Sequence, residues 1–358
     1  MRLSFAGKAI TGLLTIVPAN ERTFAEEMAN FNFSPSRSLK LAEVMGYDRH
    51  RVVAGEVCSS DLAVAAIEHL FDTGRLKRED IDALIFVTQS PDYLMPGTSK
   101  VVHGRLGLHR DVFCLDLNQG CAGFIIGAML GFMMLDQPAI EKVLVVNADV
   151  LSRKVSPRDR NSYPLIGDAA SVAVLERRAD AGAIEASLKM DGSGREALMI
   201  PAGGMRMPSD ASTAEQAVDS EGNSRSLDNL KMDGSAVFNF VLTEVPGLIE
   251  ALLNETGTEV ADIDAFLCHQ PNRFMLHKLA DKLKVPHDKM PSNVVEAFGN
   301  SSGVTIPMVT VHNLRDRLVA EKLRVCLSGF GVGLTWGAMV MDLGPLDFCE
   351  MIEFTEET

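Results

Sequence analysis

Asp80-Ile81-Asp82-Ala83-Leu84-Ile85-Phe86-Val87-Thr88-Gln89-Ser90-Pro91 is an acidic turn feeding a short apolar run that ends at a proline. A continuous apolar run bounded by turn residues is the pattern of a strand buried on both faces. Asp262-Ile263-Asp264-Ala265-Phe266-Leu267-Cys268-His269-Gln270-Pro271 repeats the design, with Asp264 standing where Asp82 stands in the first copy. A second pair, Glu141-Lys142-Val143-Leu144-Val145-Val146 and Glu321-Lys322-Leu323-Arg324-Val325-Cys326-Leu327, sets lysine-led strands at nearly the same offset, Lys142 to Lys322. Chance likeness between apolar strand cores is the competing explanation, and the shared offset weakens it. An offset near half of 358 residues predicts two similar α/β halves, 1–178 and 179–358, rather than a solenoid of short repeats.

Each half alternates such strands with helix-patterned segments, Leu62 to Phe71 and Phe274 to Leu283, which predicts mixed sheets covered by helices. With 46% hydrophobic and 23% charged residues the chain can bury a sizeable core. A formal net charge of −14 disfavours a general nucleic-acid binder, which needs concentrated Lys and Arg. The six cysteines form no C-x-x-C pair, so reduced thiols in a cytoplasm are expected. The N-terminus lacks a sustained apolar core and other apolar stretches are interrupted, so neither signal peptide nor membrane span is expected. The polar stretch Gly203 to Asp233 reads as an excursion loop. The tail after Asp342, with Asp347, Glu350, Glu353, Glu356 and Glu357, reads as a solvated acidic end.

Candidate chemistry begins at Asp116-Leu117-Asn118-Gln119-Gly120-Cys121-Ala122-Gly123-Phe124, where an apolar strand turns into an apolar helix. Cys121 then sits near a helix N-terminus, whose free N–H groups and dipole would favour the thiolate and lower its pKa. An ordinary buried cysteine is the competing reading. His269 ends its strand ahead of Pro271, which carries an imidazole to the sheet end where sites are usually built, though a satisfied core histidine fits as well. Phe298-Gly299-Asn300-Ser301-Ser302-Gly303 is a turn before a further apolar run. The internal echo sets Asn300 opposite Cys121 at the start of corresponding helices, although a helix cap would also explain it. Gly329-Phe330-Gly331-Val332-Gly333-Leu334-Thr335-Trp336-Gly337 reads as a tight turn between strands, with glycines that let the backbone pass close to a reacting group.

Gly-Cys-Ala-Gly-Phe around Cys121, His-Gln-x-Asn from His269 to Asn272, Gly-Asn-x-Ser from Gly299 to Ser302, and Gly-Phe-Gly-x-Gly-x-Thr-Trp-Gly from Gly329 to Gly337 occur in one order and spacing. In these motifs the chain resembles the β-ketoacyl-acyl-carrier-protein synthases of type III, over roughly residues 1 to 343. The resemblance implies a duplicated thiolase-like αβαβα fold, a homodimer, and no cofactor or metal. It implies that Cys121 is acylated by a thioester, acyl-coenzyme A or acyl-carrier protein, and that His269 and Asn300 assist decarboxylative condensation with malonyl-carrier protein. The turn at Gly331, Val332 and Gly333 would help hold the acyl oxyanion. Arg160, Met95, Asn272 and Phe330 stand where the family has substrate-binding residues, Met95 on a loop that reaches the partner subunit. Arg273, Lys278 and Lys282, at helical spacing after His269, would dock an acidic carrier protein. The family's Trp and Arg that sandwich the adenine are absent from Leu39 to Asp48, which leaves the donor open.

Three other readings use the same residues. A thiolase-fold acyltransferase would make an ester or amide without decarboxylation, and Asn300 argues against it. In a papain-like cysteine hydrolase the histidine would be the nucleophile's base; the duplicated halves argue against that. A non-catalytic subunit has no reason to keep Cys121, His269 and Asn300.

Overall fold

The computed structural model describes residues 1–355, so Glu356 and Glu357 of the acidic tail lie outside the described residues. The principal strands are β1 (Arg2–Phe5), β2 (Lys8–Pro18), β3 (Ala83–Val87), β4 (Phe113–Leu117), β5 (Lys142–Asp149), β6 (Ala169–Arg177), β7 (Ile184–Met190), β8 (Ala265–Cys268), β9 (Leu323–Gly331), β10 (Thr335–Leu343) and β11 (Phe348–Phe354). The principal helices are α1 (Pro35–Met45), α2 (Ser59–Asp72), α3 (Gly123–Met134), α4 (Gly234–Thr256), α5 (Arg273–Leu283) and α6 (Thr305–Ala320).

Two mixed sheets run in the orders β11-β2-β6-β5-β3-β4 and β1-β7-β10-β9-β8. The repeated segments occupy equivalent places in them. Ala83 pairs with Val143 in the parallel β3·β5 ladder and Ala265 with Val325 in the parallel β8·β9 ladder, so the step from Ala83 to Ala265 equals the step from Val143 to Val325. The acidic turns explain why the register is shared. The Asp82 carboxylate accepts from the backbone N–H groups of Glu141 and Lys142 at 2.7 and 3.0 Å, and that of Asp264 accepts from Arg324 N–H at 2.8 Å. Each carboxylate thus pins the first rung of its ladder. The second match, read lysine to lysine, is corrected by two positions: Arg324 and not Lys322 stands where Lys142 does, which brings both matches to one offset.

Strand side chains alternate faces, and in both sheets both faces are covered. Along β5, Val143 and Val145 point into a central core while Leu144 and Val146 join an outer one with α2. The central core holds α3 and α6 between the sheets; α3 has to be apolar all round because sheet side chains surround it. Helices α4 and α5 cover the outer face of the second sheet with Val241, Leu248, Leu276 and Leu279. The result is the expected five-layer αβαβα arrangement. Helix α4 is long and apolar enough to cross a membrane by length and composition alone, but its apolar face is spent on this outer core.

Two features depart from the expectations. The acidic tail is not a solvated end: β11 pairs in parallel with β2, with Phe348 and Cys349 buried. Apolar residues stand between its acidic ones and find cores to join, Phe348 on the outer side of the sheet and Cys349 on the central side. At the opposite terminus β1 pairs with β7, so each sheet borrows an edge strand from the far end of the chain. The 203–233 stretch is a built insert rather than an open loop. Leu198–Met199 pairs with Lys231–Met232 and Ala217–Val218 with Ser224–Arg225, and Asp233 caps α4 by accepting from Ala236 N–H at 2.9 Å.

Candidate active site

Helices α3 and α6 begin at Gly123 and Thr305, which are related by the same offset as the strands, and the loops leading into them touch. A side chain at Gly303 would meet the Gly120 carbonyl at 3.0 Å and Asn147 at 2.8 Å, so only glycine fits the crossing. This register sets Gly303, not Asn300, opposite Cys121, which corrects the sequence alignment of the two. Asn300 lies further from its helix and owes its place to a bridge with Ile166: its N–H donates to the Leu165 carbonyl at 2.7 Å, and its own carbonyl accepts from Gly167 N–H at 3.2 Å.

Cys121 is buried directly before α3. The N–H groups of Cys121 and Val332 and the Ser302 hydroxyl lie close enough to its sulfur to favour the thiolate. A Cβ at Gly331 would come within 2.7 Å of Sγ, so the glycine of the β9–β10 turn is what lets the backbone reach the sulfur. The turn itself is as expected, antiparallel with Gly331 opposite Thr335. The expected depression of the thiol pKa is not what the structure shows. Burial pushes the Cys121 thiol up to about 11, with the nearby Asp149 adding to the rise and the Val332 N–H opposing it. Removal from water outweighs the amide hydrogen bonds, so the thiol keeps its proton until something takes it.

His269 continues the β8 ladder, its N–H donating to Ser328 O at 2.7 Å, before Pro271 ends it. Burial lowers its pKa to about 3, which makes the imidazole neutral. Nδ1 lies 2.7 Å from Thr305 Oγ1, and the Thr305 hydroxyl donates to the Ser302 carbonyl at 2.8 Å. A hydroxyl has one proton, so with that proton on the carbonyl it is Nδ1–H that donates to Thr305. Nε2 then carries a lone pair and accepts. Phe330 packs edge-on against the ring at 5.6 Å. Asn300 Oδ1 accepts from Ser302 N–H at 2.9 Å, which leaves the amide NH2 as the free end.

Sequence reading missed three residues here. Asp149, at the end of β5, accepts from Gln89 N–H at 2.7 Å and from the Thr88 and Ser90 hydroxyls at 3.1 Å. Burial raises its pKa to about 6. The Ser302 hydroxyl reaches Asp149 as well as Cys121, so Ser302, Thr305 and Asp149 together form the polar lining behind the sulfur. A carboxylate closing the apolar run Val143 to Val146 was the available signal.

Two cavities meet at Cys121 and Asn300. One, about 610 Å³, is also lined by His269, Arg160, Asn272, Phe330 and Gly331. The other, about 450 Å³, is lined by Val332, Gly333 and an apolar wall that includes Leu151, Leu165, Leu198 and Met232. The structure therefore brings together Cys121, His269, Asn300 and the Gly331–Gly333 turn. Asn272 is also the cap of α5, its Oδ1 accepting from Met275 N–H at 2.8 Å. Met95 is 86% exposed and lines neither cavity. Of the three docking candidates, Arg273 is paired with Glu296 and Lys282 donates to the Leu242 carbonyl at 2.6 Å. Lys278 is held loosely, 3.8 Å from Asp281 and 5.9 Å from the centre of the Phe274 ring.

Residues 115–192 match the model of 3-oxoacyl-[acyl-carrier-protein] synthase III, and residues 253–343 that of the C-terminal region of the same enzyme. A Campylobacter jejuni protein provisionally named 3-oxoacyl-[acyl-carrier-protein] synthase 3 is 29% identical over the whole of both chains. The β-ketoacyl-[acyl-carrier-protein] synthase III of Streptococcus gordonii is 33% identical over 82% of this chain and 88% of its own. The crystal structure of a 3-oxoacyl-(acyl-carrier protein) synthase from Burkholderia xenovorans superposes with a TM-score of 0.91 at 33% identity, covering 99% of each chain. With these relatives spanning its length, the chain belongs to the 3-oxoacyl-[acyl-carrier-protein] synthase III family of thiolase-fold acyltransferases.

Proposed function

We propose that Cys121, His269 and Asn300 are the catalytic residues of a β-ketoacyl-acyl-carrier-protein synthase III that primes a fatty-acid or related chain. On this reading the half 1–178 brings the nucleophile and the half 179–358 the histidine and asparagine. The observation that carries it is the meeting of two cavities at Cys121 and Asn300, with the neutral His269 lining the larger one.

A buried thiol held in its protonated form needs a base, and His269 Nε2 offers the lone pair. As the proton passes to Nε2, the sulfur attacks the thioester carbonyl of acyl-coenzyme A or acyl-carrier protein. The donor's sulfur then leaves with that proton, and Cys121 holds the acyl group. Malonyl-carrier protein enters next. When carbon dioxide departs, its electron pair becomes an enolate, stabilised by the Asn300 amide and by Nε2–H of His269. That second donor requires the other tautomer: Nε2 takes a proton from water in the cavity, the imidazolium gives up its Nδ1 proton to water, and the Thr305 hydroxyl turns from the Ser302 carbonyl to donate to Nδ1. The enolate carbon attacks the acyl-cysteine, and the oxyanion meets the N–H groups of Cys121 and Val332 that now face the sulfur. Collapse releases the β-ketoacyl thioester and expels the Cys121 thiolate, which takes a proton from solvent to return to the resting thiol.

Incubation with a short acyl thioester should add one acyl mass to the protein, on the peptide containing Cys121. With malonyl-carrier protein present, Asn300→Ala should lower carbon dioxide release by roughly 10²-fold, the usual cost of an oxyanion donor. An adduct on another residue would refute the nucleophile, and release that ignores Asn300 would favour the acyltransferase without decarboxylation.

A further inference from the structure

The outer end of the larger cavity is closed on one side by the insert, and the charges there are already committed. Asp219, Glu221 and Asp233 line it against Arg160 and Arg225, the two Arg or Lys side chains among its lining residues. Arg160 is held on every side. Its Nη1 donates to the Glu221 carbonyl at 2.8 Å and to Asn223 Oδ1 at 2.9 Å, and its Nη2 lies 3.2 Å from the Glu221 carboxylate. Its guanidinium stacks on Phe33, 4.2 Å from the ring centre, and the side chain is only 9% exposed. Arg225 is shared between the buried Asp159, at 2.8 Å, and Asp219. Neither guanidinium has a free fork to offer, and the mouth carries one more carboxylate than it has guanidinium groups.

A thioester entering this cavity acyl-first must leave the other end of its pantetheine arm at that mouth. For coenzyme A this end is a nucleotide with a diphosphate and a further phosphate. Phosphates are bound through free bidentate guanidinium forks or clustered ammonium groups, and like charge at an interface is repelled. For a carrier protein the arm carries a single phosphodiester and the rest of the binding comes from the protein surface. Opposite the insert, α1 and α5 flank the same mouth with Leu41, Met45 and Asn272. Arg37, Lys40 and Lys278 on these two helices are exposed, a basic rim for an acidic carrier.

Resting on the synthase reading, we propose that the insert makes the enzyme select an acyl group borne on a carrier protein's phosphopantetheine arm, and that the nucleotide of coenzyme A contributes nothing to donor binding. Glu221 is the specificity-determining residue, because its carboxylate occupies the face of Arg160 that a phosphate would need.

The test compares three esters of one acyl group, made on coenzyme A, on pantetheine and on acyl-carrier protein, by the kcat/KM of Cys121 acylation read by mass spectrometry. The coenzyme A and pantetheine esters should agree within about 3-fold, and the carrier ester should exceed both by at least ~30-fold, since only it gains surface contacts. Glu221→Gln should raise the ratio of coenzyme A ester to pantetheine ester by about 10-fold, the scale of one charge-assisted hydrogen bond. Calorimetry with free coenzyme A and free pantetheine gives the same ratio without any chemistry at Cys121. A coenzyme A ester that beats the pantetheine ester by ~10-fold in the wild type, a carrier ester no better than either, or a ratio indifferent to Glu221→Gln overturns the proposal. Failure of all three esters to label Cys121 would instead sink the synthase reading, and the calorimetric ratio would still decide this one.

Discussion

Thr305 links the two halves of the proposed chemistry through a single proton. Its hydroxyl sits 2.7 Å from His269 Nδ1 and 2.8 Å from the Ser302 carbonyl, and it also accepts from Gln270 N–H at 3.3 Å. While it donates to the carbonyl, Nε2 can take the thiol proton; once it turns to Nδ1, Nε2 can donate to an enolate. Thr305→Val removes the rotor and leaves Nδ1–H to the Ser302 carbonyl alone, which fixes Nε2 as an acceptor. Acylation of Cys121 should then change by less than ~3-fold, while malonyl decarboxylation falls by roughly 10- to 100-fold, the range for losing one oxyanion donor. Thr305→Ser should restore it. A merely structural role would slow both half-reactions together, so parallel losses in single-turnover measurements would discard the tautomer argument. None of this was legible in the sequence, because tautomers depend on which carbonyl a hydroxyl faces. The Cys121 pKa was misread for a related reason: the helix N-terminus is visible in the residue pattern, but the depth of burial that outweighs it is a property of the packed layers.

At the scale of elements, β11 decides how the first sheet is closed. Phe348 pairs with Gly12 across the β11·β2 ladder and its ring lies over the bare glycine, where any side chain on Gly12 would collide with it. The ring is buried in the outer core with α2. Phe348→Ala should cost about 3 kcal/mol or more, as for other buried aromatic truncations, measured by denaturant unfolding. A tail lying in solvent would show no change. The sequence reading failed here because acidic residues dominate the composition of the tail, and composition does not record that the apolar residues between them, Phe348 and Cys349 first, face the two cores on either side of the sheet. Where a run was apolar in both phases, as in β3, β5, β8 and β9, the strand was readable, and so was the duplication. The candidate site residues at strand ends and turns, Cys121, His269, Asn300 and Gly331, were readable for the same reason, since each interrupts or ends an apolar run. The insert was not, because its hairpins are held by side-chain hydrogen bonds such as those of Asp219 and Asn223, which have no periodic signature.

At the scale of the whole molecule, the edge that bears on assembly is the one at β4. Strand β4 stands at the end of its sheet, bonded to β3 on one side only, and Phe113 on it is 54% exposed. The loop carrying Tyr93, Leu94 and Met95, all exposed, joins the same surface: Ser99 just beyond it donates to the Asp116 carboxylate on β4 at 2.9 Å. An open strand edge beside large apolar side chains invites pairing with another chain. A second copy of the same chain, related by a twofold axis, would extend the sheet across β4 and cover the loop. This is the surface on which the expected homodimer should form, and there Met95, which lines neither cavity at Cys121, would reach toward the acyl cavity of the partner. Light scattering of the purified protein should therefore give twice the 38.8 kDa chain mass at micromolar concentration. Leu94→Asp with Met95→Asp should weaken the association by at least ~100-fold, since burying each such side chain contributes about 1.5–3 kcal/mol. If Met95 bounds the partner's cavity, Met95→Ala in the intact dimer should also shift acylation of Cys121 toward longer chains. A monomeric wild type, or a dimer indifferent to both aspartates, would place the partner surface elsewhere and leave Met95 without a role in selecting the acyl group.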